Sequence, residues 1–180
     1  DATIATIDNP EIGIDALLEL MPGPDFPTGG IILGRAGIRS AFETGRGSVM
    51  MRSRTHFEKF GKDRDAIVAT EIPYQVNKSR MIERIAEVVK EERVEGISEL
   101  RDESDRDGVR VVIELKRDAM PEVVLNQLFR YTPLQTSFGV NMVALNAGRP
   151  ELLNPQKILA AFIVHREEII TRRTAFELRK

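Results

Sequence analysis

Apolar and polar positions along the chain follow two periods, one typical of strands and the other typical of helices. Strand faces, with successive side chains on opposite sides, are assigned to residues 49–57 and 109–116, and β-branched and small residues indicate a strand at 67–72, with a shorter extended stretch at 97–100. Helical spacing covers residues 14–21, 38–44 and 78–94, a helix opening at Pro121, and a long helix that begins at Asn154-Pro155 and continues to the end. Antiparallel hairpins with helices between them predict an α+β two-layer sandwich of sheet and helices, followed by a long C-terminal helix.

The alternation also assigns side chains to faces. In residues 109–116, Val109, Val111, Ile113 and Leu115 face one way, and Arg110, Glu114 and Lys116 face the other way. In residues 49–57, one face carries Met50, Arg52, Arg54 and His56. The long C-terminal helix has a predicted inner face of Ile158, Leu159, Phe162, Ile163, Ile169, Ile170 and Phe176. Residues 2–7 alternate only loosely, and residues 61–63 predict a turn between two strands.

Charge changes this picture, because it is distributed unevenly. The 180 residues carry a net charge of −2, which excludes a protein that is basic throughout and coats nucleic acid. Residues 31–62, however, hold seven Lys or Arg against two acids, a net charge of +5, whereas residues 1–30 hold six acids and no base. A local anion-binding face is therefore plausible within a mildly acidic protein.

The densest basic feature follows Gly45-Arg46-Gly47. Arg52 and Arg54 are two residues apart on one predicted strand face, and glycines at 45 and 47 would let a backbone approach a phosphate while Arg46 reaches past them. The alternative is an exposed sheet face whose charges keep the surface soluble.

A second basic feature lies where the predicted strand 67–72 gives way to a helix. Pro73 ends the strand, since it has no N–H to donate, and Asn77 occupies the position of a helix cap. Lys78 and Arg80 then fall in the first turn, where cations oppose the helix dipole and gain nothing locally. An anionic partner would give them a purpose, because that turn also presents free backbone N–H groups. Two solvated surface charges are the other interpretation.

Other chemistry is weakly represented. The chain has no cysteine, no Ser-His-Asp set and no Lys-Ser/Thr after its glycines at 29–34, which excludes a P-loop. Residues 103–114 match a calcium-loop spacing, but they begin with Glu103, run into a predicted strand and contain neighbouring arginines that can neutralise the acids. An acidic hairpin loop explains this stretch better. No apolar run approaches the roughly 20 residues of a membrane span, and we expect a cytoplasmic location.

The heptapeptide Ile72-Pro73-Tyr74-Gln75-Val76-Asn77-Lys78 resembles the signature of the A subunit of DNA gyrase, a bacterial type IIA topoisomerase. Further segments agree with that family in the family's order: residues 22–28, 45–47, 101–104, and 171–174 with 176–179. The resemblance therefore covers essentially the whole chain. Asp1 is not a natural start and the helical pattern is still running at Lys180, so we expect an internal piece of a much longer subunit.

The resemblance implies the family's tower domain, which flanks the cleavage core and carries the arms of the bent DNA. It implies a connector from that core in residues 1–30, the tower in 31–150, and in 151–180 the start of the helix toward the coiled-coil arm. The implied partners are double-stranded DNA, the gyrase B subunit, plus a second A subunit, with no membrane. The full enzyme would use magnesium and ATP through the B subunit, and this piece would hold no cofactor.

The resemblance also implies where the catalytic tyrosine is. The family's nucleophile lies upstream of the heptapeptide, whereas Tyr131 lies downstream of it at the end of an apolar helix, so we interpret Tyr131 as structural and expect no catalytic or metal-binding residue. Charge placement selects the candidate DNA contacts: Arg46, Arg52, Arg54, Lys78 and Arg80. Three alternatives stay open, namely the A subunit of topoisomerase IV, an α+β interaction scaffold that does not bind DNA, and a small calcium-binding module.

Overall fold

A computed structural model describes residues 1–61 and 63–180. Within them the helices are α1 (Ala2–Asp8), α2 (Ile14–Leu20), α3 (Ala36–Thr44), α4 (Lys78–Lys90), α5 (Pro121–Tyr131) and α6 (Pro155–Glu177). The strands are β1 (Ile31–Leu33), β2 (Arg46–Arg52), β3 (Arg54–Phe60), β4 (Arg64–Glu71), β5 (Ile97–Asp102), β6 (Val111–Leu115), β7 (Gln135–Asn141), β8 (Val143–Asn146) and β9 (Arg149–Leu152). The predicted α+β class with a long final helix is confirmed. In these ranges no helix is both long and apolar enough to cross a membrane.

The chain divides into two compact units. The first unit comprises Asp1–Pro24, Gly34–Val49 and Gly139–Lys180, and the second comprises Asp25–Leu33 and Met50–Phe138. The second unit contains a four-stranded antiparallel sheet in the order β3-β4-β6-β5. A three-stranded sheet has the order β1-β2-β7, and β8 and β9 form a separate hairpin. Gly61 and Asp63 lie in the predicted turn between β3 and β4, and Lys62 lies outside the described residues.

One face of the four-stranded sheet packs against α4 and α5, which makes the predicted two-layer body of the second unit. The apolar positions of α4 recur at helical spacing, so Met81, Ile85 and Val88 all point inward and are fully buried. They meet sheet residues such as Ile67 and Ile113, which are also inaccessible to solvent. Each such side chain contributes about 1.5–3 kcal/mol on burial, so this cluster fixes α4 on the sheet.

The opposite face of the same sheet is buried too, which the alternation did not predict. All five residues of β6 are buried, including Glu114, whose side chain is 2% exposed. Ala66, Val68 and Val112 form a second apolar cluster on that face, with Phe60 packed against them. Glu114 does face opposite to Ile113 and Leu115, as predicted, but that face is buried because arginine and phenylalanine side chains cover it.

Residues 49–57 do not form the single strand that was predicted. β2 ends at Arg52 and β3 begins at Arg54, in different sheets. Between them the backbone N–H of Ser53 donates to the carbonyl oxygen of Leu134 at 2.8 Å. Val49, Met51 and Ser53 are all buried, so burial alternates without interruption across the change of sheet. Periodicity therefore gives no sign of the break.

Two further predictions need correction. Residues 2–7, which alternate only loosely, lie in helix α1. The predicted inner face of α6 is largely exposed within the described chain, with Phe162 at 50% and Phe176 at 62% exposure. The spacing identified the apolar stripe, but only its start is covered, where Leu159 packs against Ala2, Ile12 and Leu17.

Candidate nucleic-acid interface

The heptapeptide at 72–78 forms the turn into α4, and an aromatic cluster holds it in place. The ring of Tyr74 lies 5.5 Å from that of Phe26 and 5.7 Å from that of Phe138, and Phe26 and Phe138 are 5.1 Å apart. These distances fit edge-to-face and tilted aromatic packing. All three rings belong to the second unit, so the turn is anchored from both sides of the sequence.

The start of α4 agrees with the predicted cap. Asn77 has an extended backbone, and its side-chain oxygen accepts a hydrogen bond from the backbone N–H of Arg80 at 3.1 Å. That bond satisfies one of the free donors of the first turn. The two predicted cations of this turn then differ. The Nζ of Lys78 lies 2.8 Å from the carboxylate of Asp102, whereas Arg80 is exposed and has no ion-pair partner among the residues described.

The positive charge of Lys78 is therefore largely neutralised by Asp102. Its hydrogen bond, followed by one from Ser104, lowers the pKa of Asp102 to about 2, so this carboxylate stays charged at neutral pH. A phosphate that contacted Lys78 would have to compete with Asp102. Arg80 carries no such competitor among the residues that the structure describes.

Arg54 is also engaged. Its Nε lies 3.0 Å from Oε1 of Glu71, and Oε2 of Glu71 accepts the backbone N–H of Gly30 at 2.6 Å. The Gly30 N–H and then Arg54 lower the pKa of Glu71. The approach is tight, since a Cβ on Gly29 would lie 2.4 Å from Glu71 Oε2. Glu71 thus links the segment Asp25–Leu33 to the four-stranded sheet, and Arg54 neutralises the charge of the Glu71 carboxylate.

Arg52 lies in a different environment from Arg54, which corrects the prediction that both share one strand face. The guanidinium carbon of Arg52 lies 4.5 Å from the ring centre of Phe129, and its Nε donates to Gln135 Oε1 at 2.5 Å. Such stacking and bonding hold the guanidinium in a fixed orientation. No carboxylate within residues 1–61 and 63–180 forms an ion pair with it.

Arg46 belongs to the first unit, so the structure does not join it to the other four candidates. Its side chain is exposed at the start of β2. The glycines beside it have structural roles: Gly45 is the left-handed cap of α3, with φ of 77°, and a Cβ on Gly47 would lie 2.3 Å from the carbonyl oxygen of Gly37. Their approach to a phosphate stays a prediction.

Comparison with known proteins identifies the family. A family model that describes the A subunit of DNA gyrase/topoisomerase IV matches residues 1–180. The DNA gyrase A subunit of Granulibacter bethesdensis is 62% identical over 180 residues, covering 100% of this chain and 19% of that protein. The gyrase A subunit of Escherichia coli is 60% identical over 178 residues, which cover 98% of this chain and 20% of that protein. The gyrase A subunit of Pseudomonas aeruginosa is 56% identical over 182 residues, which cover 100% of this chain and 20% of that protein.

The chain belongs to the family of DNA gyrase/topoisomerase IV A subunits. It spans about a fifth of the length of these curated relatives. The resemblance drawn from the heptapeptide and its companion segments is confirmed at the level of this family.

The remaining sequence features of this gyrase-family chain have structural explanations. Tyr131 ends α5 half-buried, and the guanidinium carbons of Arg130 and Arg93 lie 5.3 and 6.0 Å from its ring centre. In the calcium-like stretch, Glu103 pairs with Arg110 at 3.1 Å and with Arg101 at 3.2 Å, while Glu114 is buried beside Arg101. Arginines therefore occupy the first and last of the would-be ligands.

One basic residue of this chain was missed among the candidates. Arg130 and Arg52 line the same cavity in the second unit, although 78 positions separate them in the sequence. The placement of charge along the sequence did not select Arg130. No local pattern could have joined it to Arg52, because the fold alone brings α5 beside β2.

Proposed function

We propose that the chain is part of the A subunit of a bacterial type IIA DNA topoisomerase, most like DNA gyrase. The observation that carries this proposal is the 62% identity, across all 180 residues, with a protein named as a DNA gyrase A subunit. In the whole enzyme, two A subunits would act with the B subunit in ATP-dependent strand passage and negative supercoiling. Magnesium and ATP would enter through the B subunit.

Within that enzyme, the chain's own role is support rather than cleavage. We assign residues 31–150 to the tower domain, residues 1–30 to the connector from the cleavage core, and residues 151–180 to the start of the helix toward the coiled-coil arm. The catalytic tyrosine then lies in another part of the polypeptide. We expect magnesium to be held elsewhere in the enzyme, and no group of three or more acidic or histidine side chains suited to a metal ion occurs in the described ranges.

The tower would position a bent DNA segment through phosphate contacts that carry no sequence information. Bending a duplex costs on the order of 1–6 kcal/mol, and cations beside the bend can offset that cost. The five candidates differ in how readily each could bind a phosphate. Arg52 and Arg80 have no carboxylate partner among the described residues, whereas Arg54 and Lys78 must exchange Glu71 and Asp102 for a phosphate. Arg46 is exposed and belongs to the first unit, whereas the other four candidates belong to the second.

Duplex binding at graded salt concentrations tests this role. We expect the chain to bind duplex DNA weakly, with an affinity that falls steeply as salt rises, because phosphate contacts release counterions. The double variant Arg52→Glu/Arg54→Glu should bind more weakly still. The matched control is Lys116→Glu/Arg117→Glu, which reverses the same number of charges on the same unit. Equal affinity of the parent and the Arg52/Arg54 variant would show that these two arginines do not contact the DNA.

The family also includes topoisomerase IV, which is the second candidate. The form of the heptapeptide and the names of the relatives favour gyrase. Assays of the full-length protein with its B partner separate the two, since gyrase introduces negative supercoils into relaxed DNA. An interaction scaffold that does not bind DNA would be supported if the chain showed no salt-dependent duplex binding at all.

A further inference from the structure

The second unit contains a polar cavity of about 340 Å³ that differs in character from the apolar cavity of the first unit. It lies between the end of β2, the C-terminal half of α5 and the start of β7. The polar side chains around it are Arg52, Asn126, Arg130, Gln135, Thr136 and Ser137. No carboxylate of the described residues lines it, so the cavity combines two guanidinium groups with amide and hydroxyl donors.

The two arginines lack compensation by acids. Neither Arg52 nor Arg130 forms an ion pair in the part of the chain that the structure describes. The second unit contains other arginines that do form ion pairs, namely Arg54, Arg84, Arg93, Arg101 and Arg110. Two like charges around one cavity destabilise each other. An anion that enters the cavity removes this repulsion, and it also receives hydrogen bonds from charged donors, which are stronger than those between neutral groups.

The cavity is also preorganised. Phe129 stacks beneath the guanidinium of Arg52 at 4.5 Å, and Gln135 holds its Nε, which leaves the terminal N–H groups for a ligand. Arg130 also lines the cavity, and its guanidinium carbon lies 5.3 Å from the ring centre of Tyr131. A planar donor group that is already oriented loses little conformational entropy when it binds an oxyanion.

We propose that this cavity is a phosphate-binding site in which Arg52 and Arg130 share one phosphate group, with Ser137, on the same face of β7 as Gln135, as a hydroxyl donor. The phosphate is either a backbone phosphate of duplex DNA, in which case the site rests on the function proposed above and adds Arg130 to its contacts, or a phosphate of a small molecule. Both sources present the same tetrahedral arrangement of anionic oxygens to the arginines.

The first measurement titrates inorganic phosphate against chloride at constant ionic strength and follows the ¹⁵N–¹H signals of the Arg52 side chain and the Gln135 amide. We expect phosphate to shift these signals in the parent and in the control Arg106→Gln. Arg106 is exposed and flanked by Asp105 and Asp107, so its loss removes the same charge from a place unsuited to anions. Arg130→Gln should abolish the shift, and Arg130→Lys should retain only part of it because an ammonium cannot bind in a bidentate manner.

The second measurement compares the salt dependence of duplex binding. If the phosphate belongs to DNA, Arg130→Gln should lower the slope of log affinity against log salt by about one and weaken binding about tenfold at low salt. An unchanged slope together with a lost phosphate shift identifies a small phosphorylated molecule as the ligand. Absence of any phosphate shift in the parent, with an unchanged slope in Arg130→Gln, would overturn the site.

These outcomes separate the site from the function proposed above. A parent chain that fails to bind duplex DNA but shows the phosphate shift refutes the DNA-supporting role and leaves the cavity as a phosphate site. Arg130 is exposed, so its substitution should not impair folding, and tyrosine fluorescence confirms this because both tyrosines lie in the second unit.

Discussion

The carboxylate of Glu114 is buried on the face of the four-stranded sheet that is opposite to α4 and α5. Arg101, on the neighbouring strand, contacts it there. The Nη2 of Arg101 lies 2.7 Å from Glu114 Oε1, and the side chains are 37% and 2% exposed. The contact is close but misaligned, since Oε1 of Glu114 and Nε of Arg101 have no hydrogen bond among the described residues. Charge attraction rather than directional bonding therefore holds this carboxylate.

Removing Arg101 leaves a buried charge without its partner, which typically costs about 3–5 kcal/mol. Because Arg101 itself reaches solvent, we expect the low end of that range, about 3 kcal/mol, for Arg101→Met. The control is Arg84→Met. Arg84 is 35% exposed and pairs with Glu87 at 2.9 Å, but Glu87 is 61% exposed, so the loss should stay below about 1 kcal/mol. The two arginines are nearly equally accessible and differ in the burial of the partner.

The double variant Arg101→Met/Glu114→Leu completes the test. Replacing a buried ion pair by apolar side chains of similar size is often neutral or stabilising, so we expect a free energy of unfolding within about 1 kcal/mol of the parent, or above it. Urea unfolding followed by tyrosine fluorescence measures it, because Tyr74 and Tyr131 both report on the second unit. If Arg101→Met costs no more than Arg84→Met, Glu114 does not depend on Arg101 and the reasoning fails.

Three further perturbations follow from the contacts described above. Gly37→Ala should destabilise the first unit by about 3 kcal/mol, measured by urea unfolding in far-ultraviolet circular dichroism, since a Cβ there would lie 1.8 Å from the carbonyl oxygen of Ser48. Asn77→Ala should cost about 1 kcal/mol in tyrosine-detected unfolding, because the α4 cap is lost. Arg110 holds Glu58 through two bonds of 2.9 and 2.7 Å and lowers its pKa from 4.5 to about 2. The stability from this pair is therefore complete above pH 4.5 and is lost as the pH falls toward 2. The difference in free energy of unfolding between the parent and Arg110→Met should therefore disappear over that interval.

Each of these three predictions has a control variant and a result that would contradict it. Gly139→Ala adds a methyl group to open space in the same unit, and equal effects at positions 37 and 139 would contradict the packing explanation. Ser79→Ala changes an exposed residue of the same helical turn, and a cap role for Asn77 is excluded if the two variants unfold alike. Glu58→Gln should reproduce the flattened pH dependence of Arg110→Met, and a gap that persists at about pH 2 would exclude Glu58 as its source.

The beginnings and ends of several helices followed from the sequence alone. Asn77 caps α4, Pro121 opens α5 at its first turn, and α6 begins after Asn154. These features depend on residues within one helical turn of each other, so the local sequence contains all the interacting partners. The family could likewise be recognised from the sequence alone, because its motifs consist of contiguous residues.

Only the tertiary structure decided which charges are available to a ligand. Glu71, 17 residues from Arg54, and Asp102, 24 residues from Lys78, neutralise two of the five predicted contacts. Arg52 takes its orientation from Gln135, 83 residues away, and shares a cavity with Arg130. Electrostatic compensation depends on distance in space and on burial, and neither can be obtained from a one-dimensional pattern when the partners lie on different strands and helices.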